Sequence, residues 1–156
     1  MTPQPVFLDV NVPMYAAGAD HPYREPCAWV LAHVAKGMLQ VAIDSEILQE
    51  ILYRYGELQR WDVAVTLARS LLQLVPTVYS VGPGEAELAI ELHERYAPQG
   101  VKARDLIHVA VMQRNGLTQI ISTDHHFDQV AGIERLDPSA LWAERRLEGY
   151  GQVPSN

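Results

Sequence analysis

A single cysteine, Cys27, stands in a chain of 156 residues. One thiol excludes an internal disulfide and a zinc site built from cysteine alone. It suits a reducing compartment. No apolar run approaches the ~20 residues that a membrane-spanning helix needs, and the N-terminus lacks the basic-then-apolar pattern of an export signal. The expected location is therefore the cytoplasm. Positive charge is scarce: 12 Lys and Arg face 19 Asp and Glu, a net charge of −7. That balance argues against nucleic-acid recognition through a broad basic surface. It leaves room for a metal-dependent nuclease, because divalent cations offset a cluster of carboxylates. Repeats, low-complexity tracts and linkers are also missing. The expectation is one domain over 1–148, with a loose tail over 149–156. A chain of this size can bury roughly 70% of its unfolded surface and needs no covalent staple.

What the chain does have is short apolar runs that stop on acids. Val6-Phe7-Leu8 leads into Asp9. Ile120-Ile121 leads into Ser122-Thr123 and then Asp124. Such runs read as buried strands emerging at a sheet edge, which in an open α/β sheet is where ligands bind. Val41-Ala42-Ile43, Thr77-Val78-Tyr79 and 133–136 supply further strands. Between them, apolar residues at helical spacing predict helices over 23–36, from Asp44 or Ser45 to about Tyr55, and over 61–75, 85–96, 102–115 and 138–147. Asn11 reads as the cap of a short helix with Pro13 in its first turn. Gly56 reads as a helix stop. A turn or short helix is expected over 125–130. Strands alternating with helices predict an α/β fold with a mainly parallel central sheet.

The acids offer more than one reading each. Asp9 fits a cap for the segment after it. Glu46 and Glu50 share a helix face, and Glu50, between Leu48 and Ile51-Leu52, fits poorly as plain surface. Asp105 complements the dipole of a helix start, and His108 shares its face. Asp124 and Asp128 flank His125, His126 and Phe127, but no further Cys/His set lies at zinc-site spacing. Together the acids mark two strand ends and two helices. Carboxylate oxygens suit magnesium or manganese, which can activate a water for attack on phosphorus.

With these residues in place, the chain resembles the PIN-domain ribonucleases, and among them the VapC-type toxins of VapBC toxin–antitoxin modules. The likeness runs from about Val6 to Pro138. It is carried by Phe7-Leu8-Asp9-Val10-Asn11-Val12, by Ile47-Leu48-Gln49-Glu50-Ile51, by Arg104-Asp105-Leu106-Ile107-His108-Val109-Ala110, and by Gly116-Leu117 followed by Ile120 to Asp128. The resemblance implies a Rossmann-like three-layer α/β/α fold. It implies an endoribonuclease that uses Mg2+ or Mn2+, a homodimer, and a small antitoxin that covers the active site. Carried over by position, the metal-binding acids are Asp9, Glu50, Asp105 and Asp124, with Asp128 at a more variable position and Glu46 as the competitor to Glu50. Asn11, Ser122 and Thr123 would support the acids or contact phosphate. Arg104 and Lys102 are the best placed of the scattered cations to meet RNA.

Three other readings stay open. A phosphatase using Asp9 as nucleophile would fit a strand-end acid, although Asn11 stands where the haloacid-dehalogenase-like pattern has a second Asp. A catalytically idle RNA-binding scaffold is another. A PIN nuclease of RNA processing, outside any toxin–antitoxin pair, is the third.

Overall fold

The computed structural model describes residues 4–147. Among these residues five strands, β1 (Val6–Leu8), β2 (Val41–Asp44), β3 (Thr77–Tyr79), β4 (Gln119–Ile121) and β5 (Glu134–Leu136), form one sheet in the order β3-β2-β1-β4-β5. Every neighbouring pair is parallel. The central strands are covered on both faces, so they read as unbroken apolar runs, not as alternating ones. Val6, Phe7, Leu8, Ala42, Ile43, Ile120 and Ile121 are all fully buried.

Among the described residues, seven α-helices surround the sheet: α1 (Asn11–Ala17), α2 (Arg24–Ala35), α3 (Ser45–Glu57), α4 (Trp61–Leu74), α5 (Pro83–Tyr96), α6 (Ala103–Arg114) and α7 (Pro138–Glu144). From β1 to β3 the chain steps outward in one direction; after β3 it crosses back to β4 on the far side of β1. α1 packs against α2 and α4, α3 against α4, and α5 against α6, the grouping that right-handed crossovers favour. The reversal between β1 and β4 opens a crevice at their carboxyl ends, the switch point at which such sheets bind ligands. Phe7 pairs with Ile120 and Leu8 with Ile121, so the residues after both strands emerge side by side. Among the described residues, no helix is long and apolar enough to cross a membrane.

The expected α/β architecture is present, and three local expectations are revised. Asn11 is the first residue of α1, not its cap, because its side chain bonds across to Asp9 and Ser122. Gly56 lies inside α3. The helix closes instead through Arg60 N–H donating to the Tyr55 carbonyl at 2.9 Å, with Gln59 at φ 57°. A Cβ at Gly56 would sit in ordinary contact with the Trp61 indole, 3.9 Å away. The last helix ends at Glu144, because Arg145 takes a left-handed conformation (φ 51°) and cannot extend it. The tail expected over 149–156 lies outside the described residues.

Candidate active site

Asp9 comes directly after β1 and is almost fully buried. Its Oδ1 accepts the Val10 backbone N–H at 2.8 Å. Its Oδ2 accepts the Ser122 hydroxyl at 2.6 Å and the Asn11 amide at 3.0 Å. Ser122 comes from the neighbouring strand end, so the β1–β4 pairing directly sets this carboxylate. Ser122 Oγ in turn accepts the Asp124 N–H at 3.0 Å, and Asn11 Oδ1 accepts the Thr123 N–H at 3.3 Å. These bonds stitch the two strand ends into one unit.

Asp105 occupies the first turn of α6. Its Oδ2 is buried and has no hydrogen-bond partner among the described residues. An unpartnered carboxylate oxygen is costly to bury. Burial pushes the Asp105 carboxyl up to about 7, and the charges of Asp9 and Asp124 add to the shift. Asp9 is also raised, chiefly by burial. Asp124 caps the short 3₁₀ turn His125–Gln129. Burial opposes its ionisation, but the backbone N–H and the ring of His126, at 2.9 and 2.8 Å, outweigh it and hold Asp124 below the usual range.

Glu50 projects from α3 and is 1% exposed. Its Oε1 meets His108 Nε2 at 2.6 Å. The other ring nitrogen, Nδ1, meets Asp44 Oδ2 at 2.7 Å. Burial alone would lower the His108 pKa; hydrogen bonds to Asp44 and Glu50 reverse that and raise it to about 10. The ring is therefore an imidazolium donating to both carboxylates. Glu50 Oε2 faces Arg54 at 3.7 Å and Arg104 at 3.9 Å. Arg104 lies over the Tyr53 ring, 5.3 Å from its centroid.

Asp9, Glu50, Asp105 and Asp124 line one cavity of about 290 Å3, together with Val10, Asn11, Arg54, Lys102 and Arg104. Four acids from four separate elements meet there, with three cations among them. Ser122 and Thr123 lie just behind, bonded into the same unit. Glu46 is not in the lining; Glu50, one turn later, is. Asp128 is also outside it. Both of its oxygens are taken by Arg135, at 3.0 and 3.2 Å, so the structure does not gather it with the other acids. His125 and His126 sit at the surface of the turn.

Sequence reasoning missed the Asp44–His108 contact. Asp44 was legible as a helix cap, and its Oδ1 does accept the Ile47 N–H. Its second oxygen carries the contact that single-sequence spacing hides. Arg54 was visible only as one scattered cation; its position four residues after Glu50 was the available signal.

Among the described residues, no three His, Cys, Asp or Glu side chains converge closely enough to hold a metal ion as they stand. The donor set nevertheless suits one. Every cavity acid offers hard oxygen, as magnesium and manganese require, and Asp105 keeps an oxygen with no protein partner. A cation would also relieve the mutual repulsion that raises Asp105.

These features define a class: a five-stranded parallel α/β protein with a carboxylate pocket at its switch point. The PIN domain family model matches residues 6–133, and the chain belongs to that family. Ribonuclease VapC23 of Mycobacterium tuberculosis is 38% identical over 123 residues, covering 77% of this chain and 93% of that protein. Among solved structures, VapC20 of M. tuberculosis, described as a sarcin-ricin loop cleaving toxin, superposes with a TM-score of 0.69 at 19% identity, covering 81% of this chain and 95% of the other. VapBC2 from Rickettsia felis, solved with a DNA fragment from its promoter, superposes with a TM-score of 0.67 at 15% identity, covering 86% and 98%. The last two share the fold.

Proposed function

We propose that this protein is an endoribonuclease that hydrolyses RNA phosphodiester bonds with Mg2+ or Mn2+, as the toxin of a toxin–antitoxin pair. The observation that carries the reading is the cavity itself, where Asp9, Glu50, Asp105 and Asp124 share one wall system with Arg54, Lys102 and Arg104. The similarity to ribonuclease VapC23 supports the reaction class.

Asp9, Asp105 and Asp124 are the residues that would hold the ion, with Glu50 beside them. When bound, such an ion activates water and stabilises charge on the departing oxygen. The chain's own groups do the rest. Ser122, Asn11 and the Val10 N–H fix Asp9 in orientation. His108 anchors Glu50 through one oxygen, leaving the other toward the cations. Arg54, Lys102 and Arg104 bind and orient phosphate at the mouth.

The test is cleavage of RNA by the purified protein with and without magnesium, in wild type, Asp9→Asn and Asp105→Asn. Cleavage that needs magnesium and is lost in both variants is expected, with folding unchanged by circular dichroism. Full activity in both variants would sink the assignment. Supporting a protein partner, α4 exposes Trp61, Val65 and Leu72 along one face, and VapBC2 has the same fold. Growth arrest on expression, relieved by Asp9→Asn and by a co-expressed antitoxin, separates a toxin from an RNA-processing nuclease. Light scattering of the purified protein tests the homodimer.

A further inference from the structure

The space beyond Asn11 and Arg54 has no part in phosphodiester hydrolysis. A second cavity, about 300 Å3, is lined by Asn11, Met14, Tyr15 and Arg54. It shares Asn11 and Arg54 with the acidic cavity, so the two adjoin at these side chains. Its walls are two helices. Asn11, Met14 and Tyr15 stand at i, i+3 and i+4, on one face of α1. Arg54 stands one turn after Glu50 on α3. Besides Asn11, this space presents a guanidinium, a thioether and an aromatic ring.

Tyr15 is backed by other rings. It stacks with His21, centroids 4.6 Å apart and planes 30° apart. Tyr23 lies against it at 5.3 Å. His21 and Tyr23 are 5.9 Å apart and 13° from parallel. The Tyr23 N–H donates to His21 Nδ1 at 3.0 Å, and the Tyr23 hydroxyl donates to Asp137 Oδ2 at 3.1 Å. These bonds hold the segment between α1 and α2, and a platform already ordered costs little entropy on binding.

A guanidinium beside a flat aromatic wall, opening from a phosphate-handling cavity, matches a nucleotide in both of its parts. Arg54 pairs with a phosphate. Tyr15 and Met14 take a base, since bases of single-stranded RNA stack on aromatic side chains. A protein segment would match the apolar wall, but it offers no phosphate for Arg54. We propose that Tyr15, Met14 and Arg54 form a subsite for the nucleotide next to the cleaved phosphate, with the base on Tyr15 and its phosphate on Arg54. Stacking of this kind tolerates any base, so the subsite adds affinity with little sequence preference. The inference rests on the ribonuclease reading.

The test is RNA binding by Tyr15→Phe and Tyr15→Leu, each in an Asp105→Asn background that blocks cleavage. The probe is an end-labelled, randomised, short single-stranded oligoribonucleotide followed by fluorescence anisotropy. The Phe variant should bind like its parent. The Leu variant should bind about 5- to 150-fold more weakly, the range for one stacked base, with an unchanged melting temperature. If the Leu variant melts early, Tyr15→Met keeps apolar bulk without a ring and takes its place. An abasic oligomer of equal charge should bind all of them alike. Equal RNA binding by the Tyr and Leu forms would overturn the subsite, leave the nuclease reading standing, and return the groove to a protein partner. No RNA binding by the parent, together with no cleavage by the wild type, would overturn the ribonuclease reading and the subsite with it.

Discussion

His108 lies fully buried between Asp44 and Glu50 and packs its ring 5.4 Å from that of Phe7. The ring bridges the two carboxyl groups, at 2.7 Å to Asp44 and 2.6 Å to Glu50. Removing one partner of such a buried set is far more damaging than replacing the whole set, because charge is left without compensation. His108→Ala should therefore lower unfolding free energy by ~3–5 kcal/mol, read by urea denaturation. A loss near zero would mean that the carboxylates do not depend on the ring. The same residues predict the pH response of the metal-free protein. His108 is raised from 6.5 to about 10, so its stabilisation is complete below 6.5 and is lost as pH rises through about 10. Asp105 is raised from 3.8 to about 7, so the folded state binds the extra proton in that window and loses stability as pH climbs through it. Both effects have the same sign. Thermal melts in the presence of a chelator should fall steadily from mildly acidic to alkaline pH. In Asp105→Asn the decline below about 7 should flatten while the alkaline part persists. Magnesium should raise the wild-type melting temperature most above that value, where Asp105 is ionised.

At the scale of elements, the site depends on the residues immediately after β1 and β4 and on how the 3₁₀ turn is moored. Arg135 on β5 is the mooring. It grips Asp128 through two nitrogens, reaches Asp137 at 3.2 Å, and donates to the Ser122 carbonyl at 3.1 Å. Asp128 thus serves the turn that carries Asp124, and the two acids should part company on mutation. Asp128→Asn should cost ~1 kcal/mol or less, since Asp128 itself is half exposed, and should leave magnesium affinity within a few-fold of wild type. Asp124→Asn should abolish measurable binding in the same calorimetric titration. Matching losses in the two variants would place Asp128 among the ligands. This contrast also shows where the sequence was readable. Apolar runs ending on Asp9 and Asp124 disclosed the strand ends, because burial on both faces demands such runs. The Leu-x-Glu-Ile context favoured Glu50 but left Glu46 as its competitor. By contrast, Asp44 and Glu50 lie 64 and 58 residues from His108, and no local pattern records a contact between distant segments. Asp128 ranked below Asp124 as the more variable position, and its pair with Arg135, seven residues on, forms across the turn between β4 and β5.

On the scale of the whole molecule, the puzzle is an acidic protein that handles a polyanion. The net charge is −7, so long-range attraction of RNA is unfavourable and any favourable field must be local. The cavity supplies one. Arg54, Lys102 and Arg104 come from α3 and from the start of α6, and they converge only because the β3–β4 crossover brings α6 beside α3 at the switch point. Recognition then depends on few phosphates, and salt should report how few. Each phosphate contact with a single strand contributes about −0.7 to the slope of log affinity against log salt. Three contacts give a slope near −2 by that rule, far shallower than for a protein with a basic groove. Binding of a short oligoribonucleotide to Asp105→Asn, titrated over a range of potassium chloride, should show this shallow slope. Arg104→Gln, Lys102→Gln and Arg54→Gln should each make it shallower by about one contact, ~0.7. Their affinities should converge with the parent's at high salt, where counterions screen the difference. A slope several times steeper would mean that RNA meets a wider basic surface than one chain provides, one that a second copy would have to complete. A slope unchanged in all three variants would remove the cations from phosphate binding and leave them as partners of Glu50 alone.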